Sequence, residues 1–188
     1  MFTKDKIKNL LSHPNMLTLY RIAAIPGIVL LLMFPNRFCT FIAALLFSAA
    51  AITDYLDGYF ARRRGLVSDF GMIMDPVADK LLVSSAFIML ASHGWVPAWM
   101  VCIIIGRELA VTGLRNFVVE NRDEIASSTL GKYKTGFQIA AIIPLLFHYP
   151  YFGINFHVIG TVFLWGALVL TVWSGVDYFI KFKRLLKI

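Results

Sequence analysis

The sequence predicts an all-α integral membrane protein, with six transmembrane helices and a short N-terminal interfacial helix ahead of them. Three observations predict it. Hydrophobic residues make up 59% of the 188-residue chain and charged residues 15%, where soluble domains carry about 45–50% and about 25%; mean hydropathy is +0.72. The apolar residues gather into six stretches without period-two alternation, and in lipid only helices and closed barrels satisfy their own backbone. Lysine and arginine cluster on alternate loops between those stretches, as the positive-inside rule requires of a multi-pass chain.

Taken in order, residues 1–13 place Ile7, Leu10 and Leu11 against Lys4, Lys6 and Lys8, the pattern of an amphipathic helix lying in the membrane interface. The alternative is an unstructured basic tail. No small-residue cleavage site follows at signal-peptide distance, so this segment is expected to be retained. The spans run from about Met16 to Phe34, Phe38 to Phe60, Pro76 to Ala91, Trp95 to Val119, Gly136 to Tyr149 and Val158 to Ile180. A crossing needs roughly 20 residues. The third and fifth spans are short by that measure and are expected to extend into their polar flanks. The basic clusters are Lys4, Lys6, Lys8; Arg62, Arg63, Arg64; Arg122, Lys132, Lys134; and Lys181, Lys183, Arg184, Lys187. The opposite loops hold Arg37 as their one full charge. Both termini are therefore expected on the cytoplasmic side, and the whole chain, 1–188, is expected to form a single membrane domain.

Composition also excludes. The net charge of +7 suits cytoplasmic loops facing anionic lipid, and no polar basic face exists that could bind nucleic acid. Cys39 and Cys102 sit in apolar runs and are expected to be small packing residues, neither a disulfide nor a metal pair. His13, His93, His148 and His157 are scattered without metal-ligand spacing.

The chemistry is concentrated in Asp54, Asp57, Asp75 and Asp79. Carboxylates at the ends of hydrophobic helices are costly without a function. Asp54 and Asp57 are three apart at the cytoplasmic end of span two, so about 60° separates them around a helix; Asp75 and Asp79 are four apart at the start of span three. The turn between, Arg63 to Phe70, is short, so the two helices are expected to be antiparallel neighbours with their acidic faces meeting. Four such charges in one volume would force protonation without a counter-charge. Divalent ions resolve the repulsion, and carboxylates suit Mg²⁺ or Mn²⁺, held as a pair. The alternative is an ion-pair network with Arg62, Arg63, Arg64 and Lys80. Gly58 and Ala61 remove bulk beside the carboxylates, which suits a ligand approaching the backbone or, alternatively, helix packing.

Residues 54–79 run Asp54-x2-Asp57-Gly58-x2-Ala61-Arg62-x8-Gly71-x3-Asp75-x3-Asp79. This resembles the signature of the CDP-alcohol phosphatidyltransferases, with every motif position filled. Pro14-Asn15-Met16-Leu17-Thr18-Leu19-Tyr20-Arg21 resembles the opening of span one in this family, and Gly106-Arg107-Glu108-Leu109, Thr112-Gly113-Leu114-Arg115 and Gly131-Lys132-Tyr133-Lys134-Thr135 resemble its bacterial branch whose acceptor is glycerol 3-phosphate. The resemblance implies a six-helix fold, usually a homodimer, in the bacterial cytoplasmic membrane with its site open to cytoplasm and inner leaflet. It also implies the reaction: an alcohol attacks the lipid-side phosphorus of CDP-diacylglycerol and CMP leaves. In this branch the acceptor is glycerol 3-phosphate and the product phosphatidylglycerol phosphate.

On that basis Asp54, Asp57, Asp75 and Asp79 are expected to hold the metals, and the resemblance makes Asp79 the base for the attacking hydroxyl. It also implies CDP-diacylglycerol contacts at Asn15, Thr18, Asp54, Gly58, Ala61 and Arg62, although Asn15 and Thr18 could equally be a helix cap and a buried hydroxyl. A dianionic acceptor needs cations. Arg107, Arg115, Lys132 and Lys134 are placed to bind glycerol 3-phosphate, since arginine forks and lysine charges grip phosphate. The alternatives are a salt bridge from Arg107 to Glu108 or Glu120, with adjacent Glu108 about 100° around the helix, and topology alone for the lysines. Cardiolipin, phosphatidylserine or phosphatidylinositol-phosphate synthesis would keep the aspartates and change these cations. A divalent-cation transporter would want its acids nearer mid-membrane, and a membrane scaffold would leave them unexplained.

Overall fold

A computed structural model describes residues 13–64, 69–120, 129–151 and 153–185, with side chains described for 19–53, 74–115, 133–151 and 153–183. Among the described residues the chain is helical, with α1 at His13–Met33, α2 at Arg37–Arg64, α3 at Asp69–Ser92, α4 at Ala98–Glu120, α5 at Thr129–Phe147 and α6 at Phe156–Leu185. The six correspond to the six expected spans. The two short spans do extend into polar sequence: α3 begins seven residues before Pro76 and α5 seven before Gly136. Residues 1–12 of the expected interfacial helix and the centre of the turn after Arg64 lie outside the described residues.

Local chemistry sets the ends. Asn36 caps α2, its Oδ1 accepting from the amides of Phe38 (3.1 Å) and Cys39 (2.8 Å); Asn155 caps α6 by accepting from Val158 N at 3.3 Å. Side-chain caps of this kind satisfy amides that have no partner within the helix. Gly94, at φ 70°, turns the chain after α3 in the left-handed region that glycine tolerates. Hydroxyls within the apolar helices bond back along their own helix, as Ser48 does to Ala44 O and Thr161 to His157 O, leaving no demand on lipid.

The chain divides into two compact units, Met1–Met89 and Leu90–Ile188. In the first, Ile28 and Leu32 of α1 and Ala43, Ala44, Phe47 and Ala50 of α2 are buried, and the alanines let α1 and α2 pack closely. In the second, α6 packs on both α5 and α4. The contact with α5 is tight at Gly160, where a Cβ would stand 2.6 Å from Leu145 Cγ and 2.9 Å from its backbone nitrogen. Gly166 likewise admits Phe137. At Gly106 and Gly113, by contrast, a Cβ would meet nothing within 4 Å among the described residues.

Helix α6 is long and apolar enough to cross a membrane over Phe156–Lys183. Leu19–Met33, Arg37–Thr53 and Tyr133–Phe147 are shorter apolar helical stretches within the described residues. One face of α6 is buried through Gly160, Leu164, Ala167, Thr171, Ser174 and Tyr178, while Val162, Trp165, Val169, Val172, Trp173 and Val176 are exposed. An exposed apolar face of this kind marks contact with a membrane or with another protein.

Candidate active site

Each unit carries part of the expected chemistry. In the first unit α2 carries the backbone of Asp54, Asp57, Gly58, Ala61 and Arg62 in its last turns, without a break through Arg64. Their side chains lie outside the described residues, as do those of Asn15 and Thr18 in α1 and Lys132 in α5. Asp75 and Asp79 are described. They stand one turn apart on α3, which runs through Pro76 as a helix. Asp75 is half exposed, and its Oδ1 accepts a hydrogen bond of 3.1 Å from Arg21 Nη2; the arginine side chain is 3% exposed. Asp79 is half-buried.

The donor chemistry fits a divalent ion. Carboxylate oxygens one helical turn apart, one of them open to solvent, are the hard ligands that Mg²⁺ or Mn²⁺ takes. Arg21 is a residue that sequence reasoning left unassigned. The signal was present: a full positive charge inside an apolar span is costly without an anionic partner.

In the second unit Arg107 and Lys134 come together around Glu108. Lys134, on α5, is buried and donates to Glu108 Oε1; Gln138, one turn further along α5 and also buried, donates to the same oxygen at 3.4 Å. Arg107 Nη1 stands 3.7 Å from Glu108 Oε2, and its Nη2 donates to Ser174 Oγ on α6 at 2.9 Å. The adjacent arginine and glutamate thus do pair, across an angle that the helix alone makes awkward, because both side chains are long enough to swing towards each other. Arg115, two turns further along α4, is exposed and is not joined to the cluster by a hydrogen bond. Glu108 was named from sequence as an alternative salt-bridge partner of Arg107; Gln138 and Ser174 were not singled out, and their signal is polarity inside apolar helices.

Three of the histidines also gather. His148, at φ 41°, stacks on Trp95 with ring centroids 3.8 Å apart, His157 lies edge-on to it at 5.2 Å, and His93 is 5.1 Å from Trp95. Loops far apart in sequence bring them together, which spacing could not show. Among the described residues no three His, Cys, Asp or Glu side chains are grouped to hold a metal, so this cluster is aromatic packing.

Comparison with known proteins agrees with this distribution. The family model for CDP-alcohol phosphatidyltransferase matches residues 11–173, across both units. A CDP-diacylglycerol–glycerol-3-phosphate 3-phosphatidyltransferase of Bacillus subtilis is 41% identical over 186 residues, covering 93% of this chain and 96% of its own. Proteins of the same name from Rickettsia bellii and Shigella flexneri serotype 5b are 40% and 37% identical, covering 91% and 88% of this chain and 95% and 91% of their own. With the acidic motif complete and the match running through nearly the whole sequence, the chain belongs to the CDP-alcohol phosphatidyltransferase family.

Proposed function

We propose that the protein transfers the phosphatidyl group of CDP-diacylglycerol to glycerol 3-phosphate, releasing CMP and forming phosphatidylglycerol phosphate. The similar proteins from three bacterial genera bear the name of that activity. The structural observation that supports the choice of acceptor is the meeting of Arg107 and Lys134 at Glu108. Lys134 is buried and Arg107 largely so, and an arginine fork beside a lysine charge is the pairing that grips a phosphate.

Asp54, Asp57, Asp75 and Asp79 would hold two divalent ions, Mg²⁺ or Mn²⁺; the family depends on divalent metal. Bound there, the ions supply charge neutralisation to the pyrophosphate and to the departing CMP. Asn15, Thr18, Asp54, Gly58, Ala61 and Arg62 bind the CDP-diacylglycerol. Arg107, Arg115, Lys132 and Lys134 bind the acceptor phosphate and orient its hydroxyl. Asp79 takes the proton as that oxygen bonds to the lipid-side phosphorus and the bond to CMP breaks. All six helices cross the bacterial cytoplasmic membrane, with both termini and the site on the cytoplasmic side. Residues 1–13 lie along the interface, residues 1–188 act as one domain, and the enzyme works as a homodimer. The exposed apolar face of α6 and the alternation of basic clusters support that placement.

A panel of acceptor alcohols tests the reading. Purified protein with CDP-diacylglycerol and Mg²⁺ or Mn²⁺ should release CMP on addition of glycerol 3-phosphate, and not with phosphatidylglycerol, serine or inositol phosphate. Release that requires one of the latter instead would replace the acceptor.

A further inference from the structure

Helix α6 carries a polar stripe on its buried face. Thr171, Ser174 and Tyr178 are all buried at successive turns, and Gly175 lies beside them. Ser174 and Gly175 stand just past the last residue that the family model matches, 173, and neither belongs to a motif noted in the sequence.

The stripe receives the side chain of Arg107. Ser174 Oγ accepts from Arg107 Nη2 at 2.9 Å and donates its own proton to Thr171 O at 3.2 Å. That second bond turns the hydroxyl lone pairs towards the guanidinium. At Gly175 a Cβ would stand 3.1 Å from Arg107 Cγ and 3.6 Å from its Nε, so the absence of a side chain lets the arginine stem lie across α6. Glu108 Oε2 flanks the other edge at 3.7 Å, beyond hydrogen-bond distance.

The guanidinium is therefore held at one corner but not satisfied. It has five N–H donors, and among the described residues the bond to Ser174 is the hydrogen bond it makes. Its Nε is buried without a partner, as are the hydroxyls of Thr171 and Tyr178 on the same stripe. A largely buried arginine, its side chain 14% exposed, fixed in place with donors to spare is prepared for an oxyanion.

We propose that Ser174 and Gly175 are positioning residues that seat Arg107 for the acceptor phosphate, so that part of acceptor recognition is built into α6. The proposal rests on the reading of Arg107 as an acceptor ligand. Neither residue need touch the acceptor itself. Ser174 fixes where the fork points and Gly175 fixes how close its stem lies.

The test is steady-state kinetics of the full-length enzyme with each substrate varied in turn. Ser174→Ala removes the hydroxyl at almost constant volume and should raise KM for glycerol 3-phosphate about tenfold, the effect of losing one hydrogen bond to a charged group, with KM for CDP-diacylglycerol unchanged. Ser174→Thr, which restores a hydroxyl, should recover most of the loss. Gly175→Ala should raise the same KM by roughly threefold, because the stem must shift by a few tenths of an ångström. In an Arg107→Ala background, Ser174→Ala should add nothing. If Arg107→Ala raises KM for glycerol 3-phosphate while Ser174→Ala and Gly175→Ala leave it unchanged, or alter both KM values equally, the seat is refuted and the reading of Arg107 stands. If Arg107→Ala itself leaves that KM unchanged, the reading of Arg107 falls and the seat with it.

Discussion

Arg21 on α1 reaches Asp75 on α3 with a hydrogen bond of 3.1 Å between Nη2 and Oδ1, joining a buried cation to a half-exposed carboxylate. An arginine in that position orients the acid. It limits rotation of the carboxylate and directs it, as partners of metal-ligating groups do. Loss of such a partner costs about 10–100-fold in metal affinity or activity. Arg21→Gln should therefore raise the half-saturating Mg²⁺ or Mn²⁺ concentration about tenfold or more, while KM for glycerol 3-phosphate stays near its original value. A titration of activity against metal checks this. An unshifted metal curve would show that the pair only ties α1 to α3.

Asp79 is separated from Asp75 by one turn and is assigned the proton. A positioned base contributes about 10²–10⁴-fold, so Asp79→Asn should abolish measurable turnover. The amide can still offer one oxygen, so Mn²⁺ binding followed by calorimetry or electron paramagnetic resonance should persist. Near-normal CMP release by the variant would remove Asp79 from that role.

Glu108 is the shared anion of Lys134 and Arg107, and Lys134 is buried. Removing one partner of a buried ion pair costs about 3–5 kcal/mol. Glu108→Gln keeps the shape and one acceptor oxygen, so a loss towards the lower end, about 3 kcal/mol, is expected as a fall in Tm. Glycerol 3-phosphate should restore stability to the variant more than it adds to the original protein, because ligand that binds the folded state stabilises it and the phosphate replaces the missing charge. A variant with unchanged Tm and no added response to the ligand would mean that the cluster is not electrostatically strained towards an anion.

The all-helical character and the order of the six helices were legible because apolar run length is a property of short segments. Ends were less so. Pro76 marked the expected start of a span, yet α3 begins at Asp69 and runs through it; seven residues into the helix, the proline forgoes one backbone hydrogen bond without ending it. At the candidate site, Asp75 and Asp79 were singled out by their spacing, Arg107 by its charge within an apolar span and Lys134 by its place at the polar start of span five. Of their partners, Glu108 was named for Arg107 and the others were not. That Arg21 would meet Asp75, 54 residues away, and Arg107 would meet Ser174, 67 residues away, depends on how helices pack, and no periodicity within a single helix reports it. The histidines show the same limit: spacing scattered them, whereas the loops gather three of them around Trp95.

In the proposed mechanism the aspartates act through bound divalent ions. The direct measurement is CMP release from CDP-diacylglycerol and glycerol 3-phosphate by the purified protein, with Mg²⁺ or Mn²⁺ present and then withdrawn by a chelator. Release should depend on both substrates, cease on chelation and return when metal is restored in excess. CMP release that continues undiminished in the presence of chelator would contradict the claim.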